Sequence, residues 1–155
     1  MTTANAIVLH PGDVACADRG DLMETLLGSC VAIVMTDPRR TVGVMCHIVH
    51  ARPPADARGA TSAAYAPQAL WTMQRMLIER GITPQLCEAW VYGGGNMFPQ
   101  LAHAPDVGDR NVAWALRTLA EQGVRVLRHD TGGHAYRRLA WTVGPGEPEV
   151  TAVPV

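Results

Sequence analysis

The sequence lacks most of the features that would place it at once. Apolar residues nowhere run on for the roughly 20 positions that a membrane span requires. The first apolar stretch, Ala6 to Leu9, is too short for a signal-peptide core and has no basic residues before it. Membrane insertion and export are therefore not expected, and the chain reads as cytoplasmic. Neither sign of charge dominates: 13 Lys and Arg face 14 Asp and Glu, for a net charge of -1, with no basic block. That balance argues against a nucleic-acid surface. Charged residues are few altogether, 17% of the chain with 48% hydrophobic, against about 25% charged in ordinary soluble domains. Some apolar surface is thus expected to meet a partner. The only cysteines, Cys16, Cys30, Cys46 and Cys87, form no Cys-x-x-Cys pair of the kind that holds zinc or works as a redox dithiol. In a reducing compartment each is a free thiol. The glycines Gly93 to Gly95 have neither a Lys-Ser/Thr ending nor a Gly-x-Gly-x-x-Gly frame. No cofactor is suggested, and the triplet reads as a tight turn.

What is present fits one domain spanning 1–155, enough chain for a real core and too little for two. Val31 to Met35 and Thr41 to Val49 are dense in β-branched residues and flank the turn chemistry of Asp37-Pro38-Arg39-Arg40, which predicts a hairpin. Arg52 to Ser62 reads as an exposed loop. Ala66, Leu70, Met73, Met76 and Leu77 recur at helical spacing, with Gly81 as the stop. Leu86 to Tyr92 reads as a strand. Asp109 is placed to cap a second helix, with Val112, Ala115, Leu116 and Leu119 on its apolar face and Gly123 at its end. Two further strands follow, Val124 to Leu127 and Leu139 to Val143, and the proline-bearing end, 144–155, is expected to fray. Strands outnumber helices and short turns force antiparallel pairing. The expectation is an α+β layered sandwich with two main helices and a mostly antiparallel or mixed sheet.

The hairpin carries the most specific chemical expectation. A loop symmetric about the Pro38–Arg39 bond puts Cys30 directly opposite His47, on one face, with Cβ atoms about 4.5–5.5 Å apart. A bulge would change that register. A thiol beside an imidazole is what cysteine nucleophiles need, the imidazolium stabilising the thiolate. Gly28 and Ser29 before Cys30 are small and leave backbone N–H groups available to an oxyanion. Cys16, Cys46 and Cys87 read as small core hydrophobes. Chelation by Cys46, His47 and His50 is disfavoured, because 46 and 47 point to opposite faces of a strand, as do 47 and 50. His129-Asp130 and His134 read as a solvent-facing turn, with acid/base work as the alternative.

Several motifs share one resemblance. Thr25-Leu26-Leu27-Gly28-Ser29-Cys30-Val31-Ala32, followed by His47, is similar to the CheD family of chemoreceptor glutamine deamidases. Tyr92-Gly93-Gly94-Gly95-Asn96-Met97-Phe98 resembles that family's Gly-Gly-x-Asn-Met-Phe segment, Val107-Gly108-Asp109-Arg110-Asn111 its Ile-Gly-x-Arg-Asn helix start, and Asp130-Thr131-Gly132-Gly133 its Asp-x-Gly-Gly turn. The resemblance implies a fold similar to the catalytic domain of cytotoxic necrotizing factor toxins. It also implies a Cys-His-Thr constellation on Cys30, His47 and Thr25 that turns receptor glutamines into glutamates through a thioester. Gly28, Ser29 and Asn96 would line the oxyanion and substrate site. The implied partners are the cytoplasmic part of chemoreceptors and, as in some members, a CheC-type phosphatase. The chain departs from the family at Ala64-Tyr65-Ala66-Pro67 and at His134 to Arg138, which bears on docking rather than on the catalytic residues. A non-catalytic adaptor acting on such a phosphatase or on the receptor array is the competing class, and a generic cysteine peptidase a third. An adaptor has no physical need for a paired thiol and imidazole.

Overall fold

A computed structural model describes residues 6–54, 61–98 and 106–154. Among these residues nine strands and two α-helices form three layers: helices, a five-stranded sheet and a four-stranded sheet. The strands are β1 (Ala6–Leu9), β2 (Val14–Asp18), β3 (Leu22–Leu27), β4 (Val31–Thr36), β5 (Val42–Cys46), β6 (Glu88–Gly93), β7 (Arg125–Thr131), β8 (Ala135–Thr142) and β9 (Glu149–Pro154). The helices are α1 (Ala66–Glu79) and α2 (Val107–Glu121). The larger sheet runs β2-β5-β4-β6-β7 and the smaller β1-β3-β8-β9. Pairing is antiparallel except for β1 with β3 and β6 with β7. The expected α+β sandwich with two main helices and mixed sheets is the observed architecture.

Strand β4 explains the layering. All six of its residues are buried, as a strand covered on both faces requires. Val31, Ile33 and Met35 join the core under α1 and α2; Ala32 and Val34 join the core between the sheets. Trp90 and Trp141 fill that second core with ring centroids 5.4 Å apart, a tilted aromatic pairing. Trp141 lies so close over β5 that a Cβ on Gly43 would overlap its ring.

Helix α1 begins with a proline in its first turn and stops at Gly81, φ 76°, where a left-handed residue ends the helix without a Cβ penalty. Helix α2 is capped differently from expectation. Its N-cap is Asp106, which accepts from the Asp109 N–H, while the Asp109 side chain reaches back to the Asp106 N–H. Asp109 is thus the third helical residue of a capping box rather than the cap.

Three further expectations change. The turn Asp37 to Arg40 forms where predicted, closed by the Arg40 N–H on Asp37 O at 2.9 Å. The Asp37 carboxylate then accepts from the Thr41 and Val42 N–H groups, and Arg40 takes φ 57°. This adds two residues to one side of the loop, so Thr36 pairs with Gly43 and Val34 with Met45. A two-residue shift keeps side-chain parity. Second, the end from Gly144 is not frayed: β9 pairs along β8 from Ala140–Glu149 to Ala135–Pro154, and the Trp141 ring N–H holds Gly146 O at 2.8 Å. Its prolines fall in the preceding turn or at the last pairing position, where they interrupt little of the ladder. Third, β1 and β2 were not expected. Of the predicted exposed loop, residues 55–60 lie outside the described residues.

Candidate active site

The described site stands at the end of the β4–β5 ladder. Beyond Cys46 one further bridge joins Val31 and Ile48, with both backbone hydrogen bonds, at 3.0 and 2.8 Å. That bridge continues the observed register, so His47 lies opposite Ala32 and Cys30 opposite Val49. Cys30 and His47 are therefore diagonal neighbours on one face rather than directly opposed, a spacing of about 7–8 Å that long side chains still bridge. Both belong to the face turned toward the second sheet: Cys30 packs against the inter-sheet core. Cys46 belongs to the core under the helices, as the alternation of faces anticipates.

His47 is 2% exposed and Thr25, from β3 across the gap between sheets, 4%. The Thr25 hydroxyl lies 2.8 Å from Leu9 O and 2.7 Å from His47 Nδ1. A carbonyl oxygen can only accept, so the hydroxyl hydrogen goes to Leu9. The threonine oxygen must then accept from Nδ1–H, which leaves Nε2 with its lone pair free. The His47 backbone is pinned as well, donating to Asp13 O at 3.1 Å and accepting from the Gly12 N–H at 2.9 Å. Thr25 is thus the group that fixes the ring's tautomer and tilt.

The electrostatics describe a neutral pair. Burial lowers the His47 pKa to about 4; Asp13 pulls it up and His10 down by smaller amounts. Burial raises the Cys30 thiol. At neutral pH the resting state is thiol and imidazole, not the thiolate and imidazolium expected from the hairpin pairing. Among the described residues the Cys30 thiol makes no hydrogen bond. A proton must therefore move within the reaction. Cys46 and Cys87 are pushed to about 12 and about 11 by burial and behave as core residues, as expected.

The glycine turn holds the segment that carries Cys30. The Gly94 N–H donates to Cys30 O at 2.9 Å and the Gly95 N–H to Gly28 O at 3.0 Å. A Cβ on Gly93 would meet the Cys30 carbonyl, and one on Gly94 the Val112 side chain. Among the described residues the Ser29 and Cys30 N–H groups find no acceptor. A cavity of about 210 Å³ opens at Ser29, lined also by Gly95, Asn96, Met97 and Phe98 among others; Cys30 itself is not part of its wall. Asn96 Oδ1 accepts from the Phe98 N–H at 2.9 Å, leaving its amide N–H groups as donors. Ser29 and Asn96 thus share one cavity, and Gly28 lies against Met97 of the same wall. A roomier cavity, about 360 Å³, lies between α2 and residues 50–52 and does not include Ser29.

The other acid/base candidate is only in part the turn expected: His129 and Asp130 belong to β7, paired with Val91 and Tyr92, and His134 alone lies in the turn before β8. Asp130 pairs with Arg137 at 3.2 Å, Arg137 also donates to Gly132 O at 2.8 Å, and His134 Nδ1 lies 3.2 Å from Asn96 O. One residue escaped sequence reasoning. Asn111 is 1% exposed and donates to Ser29 O at 3.1 Å and Val49 O at 2.9 Å. Its place on the helix beside Ala115 and one turn after Gly108 was the available signal.

The family described as CheD chemotactic sensory transduction matches residues 51–152. Among curated proteins the chain is 32% identical to a probable chemoreceptor glutamine deamidase CheD of Pseudomonas syringae pv. syringae, over 96% of this chain and 85% of that protein. It is 35% identical to a probable chemoreceptor glutamine deamidase CheD 2 of Albidiferax ferrireducens, over 91% of this chain and 83% of that one. A third, of the same description, from Geobacter sulfurreducens, is 33% identical over 91% and 86%. These alignments reach across most of the chain.

Proposed function

The chain belongs to the CheD family, and from that premise we propose that it deamidates specific glutamines in the cytoplasmic part of chemoreceptors, with Cys30 as nucleophile, His47 as proton carrier and Thr25 as its orienter. The observation that carries this reading is the chain of hydrogen bonds from Leu9 O through Thr25 to His47 Nδ1. It presents a basic Nε2 on the face that Cys30 shares.

The chemistry follows from the neutral resting pair. Nε2 takes the thiol proton as Sγ bonds to the side-chain amide carbon, and the carbonyl electron pair moves to oxygen. The unpartnered N–H groups of Ser29 and Cys30 receive that oxyanion. Imidazolium then gives its proton to the departing nitrogen, and ammonia leaves a thioester. Water attacks next, its proton taken by Nε2, the carbon–sulfur bond breaks, and the thiolate is reprotonated from His47. The net change is glutamine and water to glutamate and ammonia. Burial holds His47 down to about 4, so its ring rests unprotonated over the whole neutral range and takes the thiol proton only as the forming carbon–sulfur bond acidifies it. The cavity beside Ser29, with Asn96, Met97 and Phe98, takes the substrate side chain and its neighbours.

The test is peptide mass spectrometry of a chemoreceptor cytoplasmic fragment incubated with the protein or with Cys30→Ala. Specific glutamines become glutamates with the native protein alone. A fragment bound equally by both proteins and altered by neither would refute deamidation and leave the adaptor reading in front.

A further inference from the structure

We propose that Asn111 is a positioning residue for this reaction: its side-chain amide acts as the last rung between the segment bearing Cys30 and the segment bearing His47. The inference rests on the proposed roles of those two residues. The backbone ladder between the segments stops at the Val31–Ile48 bridge. One step further, the strands diverge, since the Val49 and His50 N–H groups both turn away to Ala64 O, at 2.8 and 3.2 Å. Among the described residues no backbone hydrogen bond then ties Ser29 or Cys30 to the chain beyond Ile48. Asn111 closes that gap, its Nδ2 donating both hydrogens, one to Ser29 O and one to Val49 O. Ser29 immediately precedes the nucleophile, and Val49 follows the histidine by two residues.

The arrangement is a costly one for a residue that only fills space. Asn111 Oδ1 is buried with no hydrogen-bond partner among the described residues, and an orphaned buried acceptor opposes folding. An amide retained there despite its unused oxygen is accounted for by its two donated bonds. The helix is built to hold it still. Asn111 sits in the second turn of α2, directly after the Asp106–Asp109 capping box. Gly108, one turn earlier, lies where any Cβ would meet the Gly94 and Gly95 carbonyls. The helix therefore packs against the same glycine turn that binds the Gly28 and Cys30 carbonyls.

Diagonal rather than direct opposition, with no thiol–imidazole hydrogen bond at rest, makes this rung matter, because any splay of the two segments would carry the thiol further from the imidazole. The experiment reads that pairing directly. Burial keeps the Cys30 thiol protonated at neutral pH, so its alkylation by iodoacetamide, followed at the Cys30 peptide by mass spectrometry, depends on His47 taking the proton. His47→Ala is expected to slow it by at least about tenfold in the native background and by less than twofold in an Asn111→Ala background. Thermal melting establishes that each variant is folded. If Asn111→Ala does not fold, Asn111→Ser, whose single hydroxyl cannot serve both carbonyls, gives the same comparison. An equal effect of His47→Ala in both backgrounds overturns the proposal, and so does no effect in either, since there would be no pairing to hold. A coupled pair together with an unaltered receptor would instead refute the deamidase reading and leave the role of Asn111 standing.

Discussion

Replacing Thr25 by valine keeps the branching and volume of a buried side chain and removes one atom's chemistry. The hydroxyl serves two groups that have no water to fall back on: Leu9 is 3% exposed and His47 2%. Valine removes one hydrogen bond from the Leu9 carbonyl, a member of the β1–β3 ladder, and leaves the His47 Nδ1–H without its acceptor, and an unsatisfied buried group costs about 1–3 kcal/mol. A loss of about 1–3 kcal/mol in unfolding free energy is expected by urea denaturation. The catalytic loss comes from tautomer and tilt. With no oxygen to accept from Nδ1–H, the ring is free to place its proton on Nε2, the atom that must be the base. A preference set by one hydrogen bond of about 1.4–3 kcal/mol corresponds to roughly 10–150-fold in population. The kcat on a receptor fragment should fall by that order with KM within about twofold, and Thr25→Ser should recover most of it. Thr25→Val with kcat near the native value, or Thr25→Ser as impaired as valine, would refute the assignment of Thr25 as the orienter of His47.

Two other outcomes follow from the same geometry. His47 has its folded pKa lowered from 6.5 to about 4 by burial, so the unfolded chain binds the proton more tightly between those values. Stability conferred by the neutral ring is full above about 6.5 and is lost as pH falls toward 4; urea midpoints measured across that window should drop, and less steeply in His47→Gln. Gly43→Ala should lower the melting temperature while leaving the sequence of the turn intact, because its Cβ would overlap the buried Trp141 ring and overpacking costs about 1–3 kcal/mol; an unchanged melting temperature would mean that the two sheets are more loosely packed than described.

Much of this site was legible because side-chain parity in a strand survives even when register does not. Any even shift keeps Cys30 and His47 on one face, and the loop's shift is two. What sequence could not supply is the size of that shift, since it depends on the Asp37 carboxylate capturing the Thr41 and Val42 N–H groups. Thr25 was reachable only through family resemblance. Its contact with His47 crosses from one sheet to the other, and no local periodicity encodes such a meeting. Asn111 was in view as part of a motif, yet a polar residue in an amphipathic helix ordinarily faces water; its burial follows from the close approach of α2 to the glycine turn. The C-terminal strand was missed because proline content outweighed a short apolar pattern, although the backbone of β8 offers a free edge.

The placement of the chemistry at a ladder's end has a physical reason that can be tested at one glycine. A strand interior has no spare donors, whereas the segment from Gly28 to Cys30 has its Gly28 and Cys30 carbonyls taken up by Gly95 and Gly94 and its Ser29 and Cys30 N–H groups left without acceptors among the described residues. Fixed donors with saturated acceptors make an electropositive concavity suited to an oxyanion. Gly94 is central to it, at φ 70° with Val112 against the position of any Cβ. Gly81 offers the matched control, at φ 76° with nothing within 4 Å of an added Cβ. Alanine at either position carries a left-handed backbone cost of about 1–2 kcal/mol. Gly81→Ala should show that cost alone, as a lower melting temperature with kcat unchanged. Gly94→Ala must also push α2 away at Val112 and the Gly108 carbonyl or shift the turn whose Gly94 N–H holds Cys30 O, so its kcat should fall at least about tenfold, as expected when one oxyanion contact is misplaced. Equal kcat in the two variants would mean that the glycine turn does not hold the oxyanion donors in place.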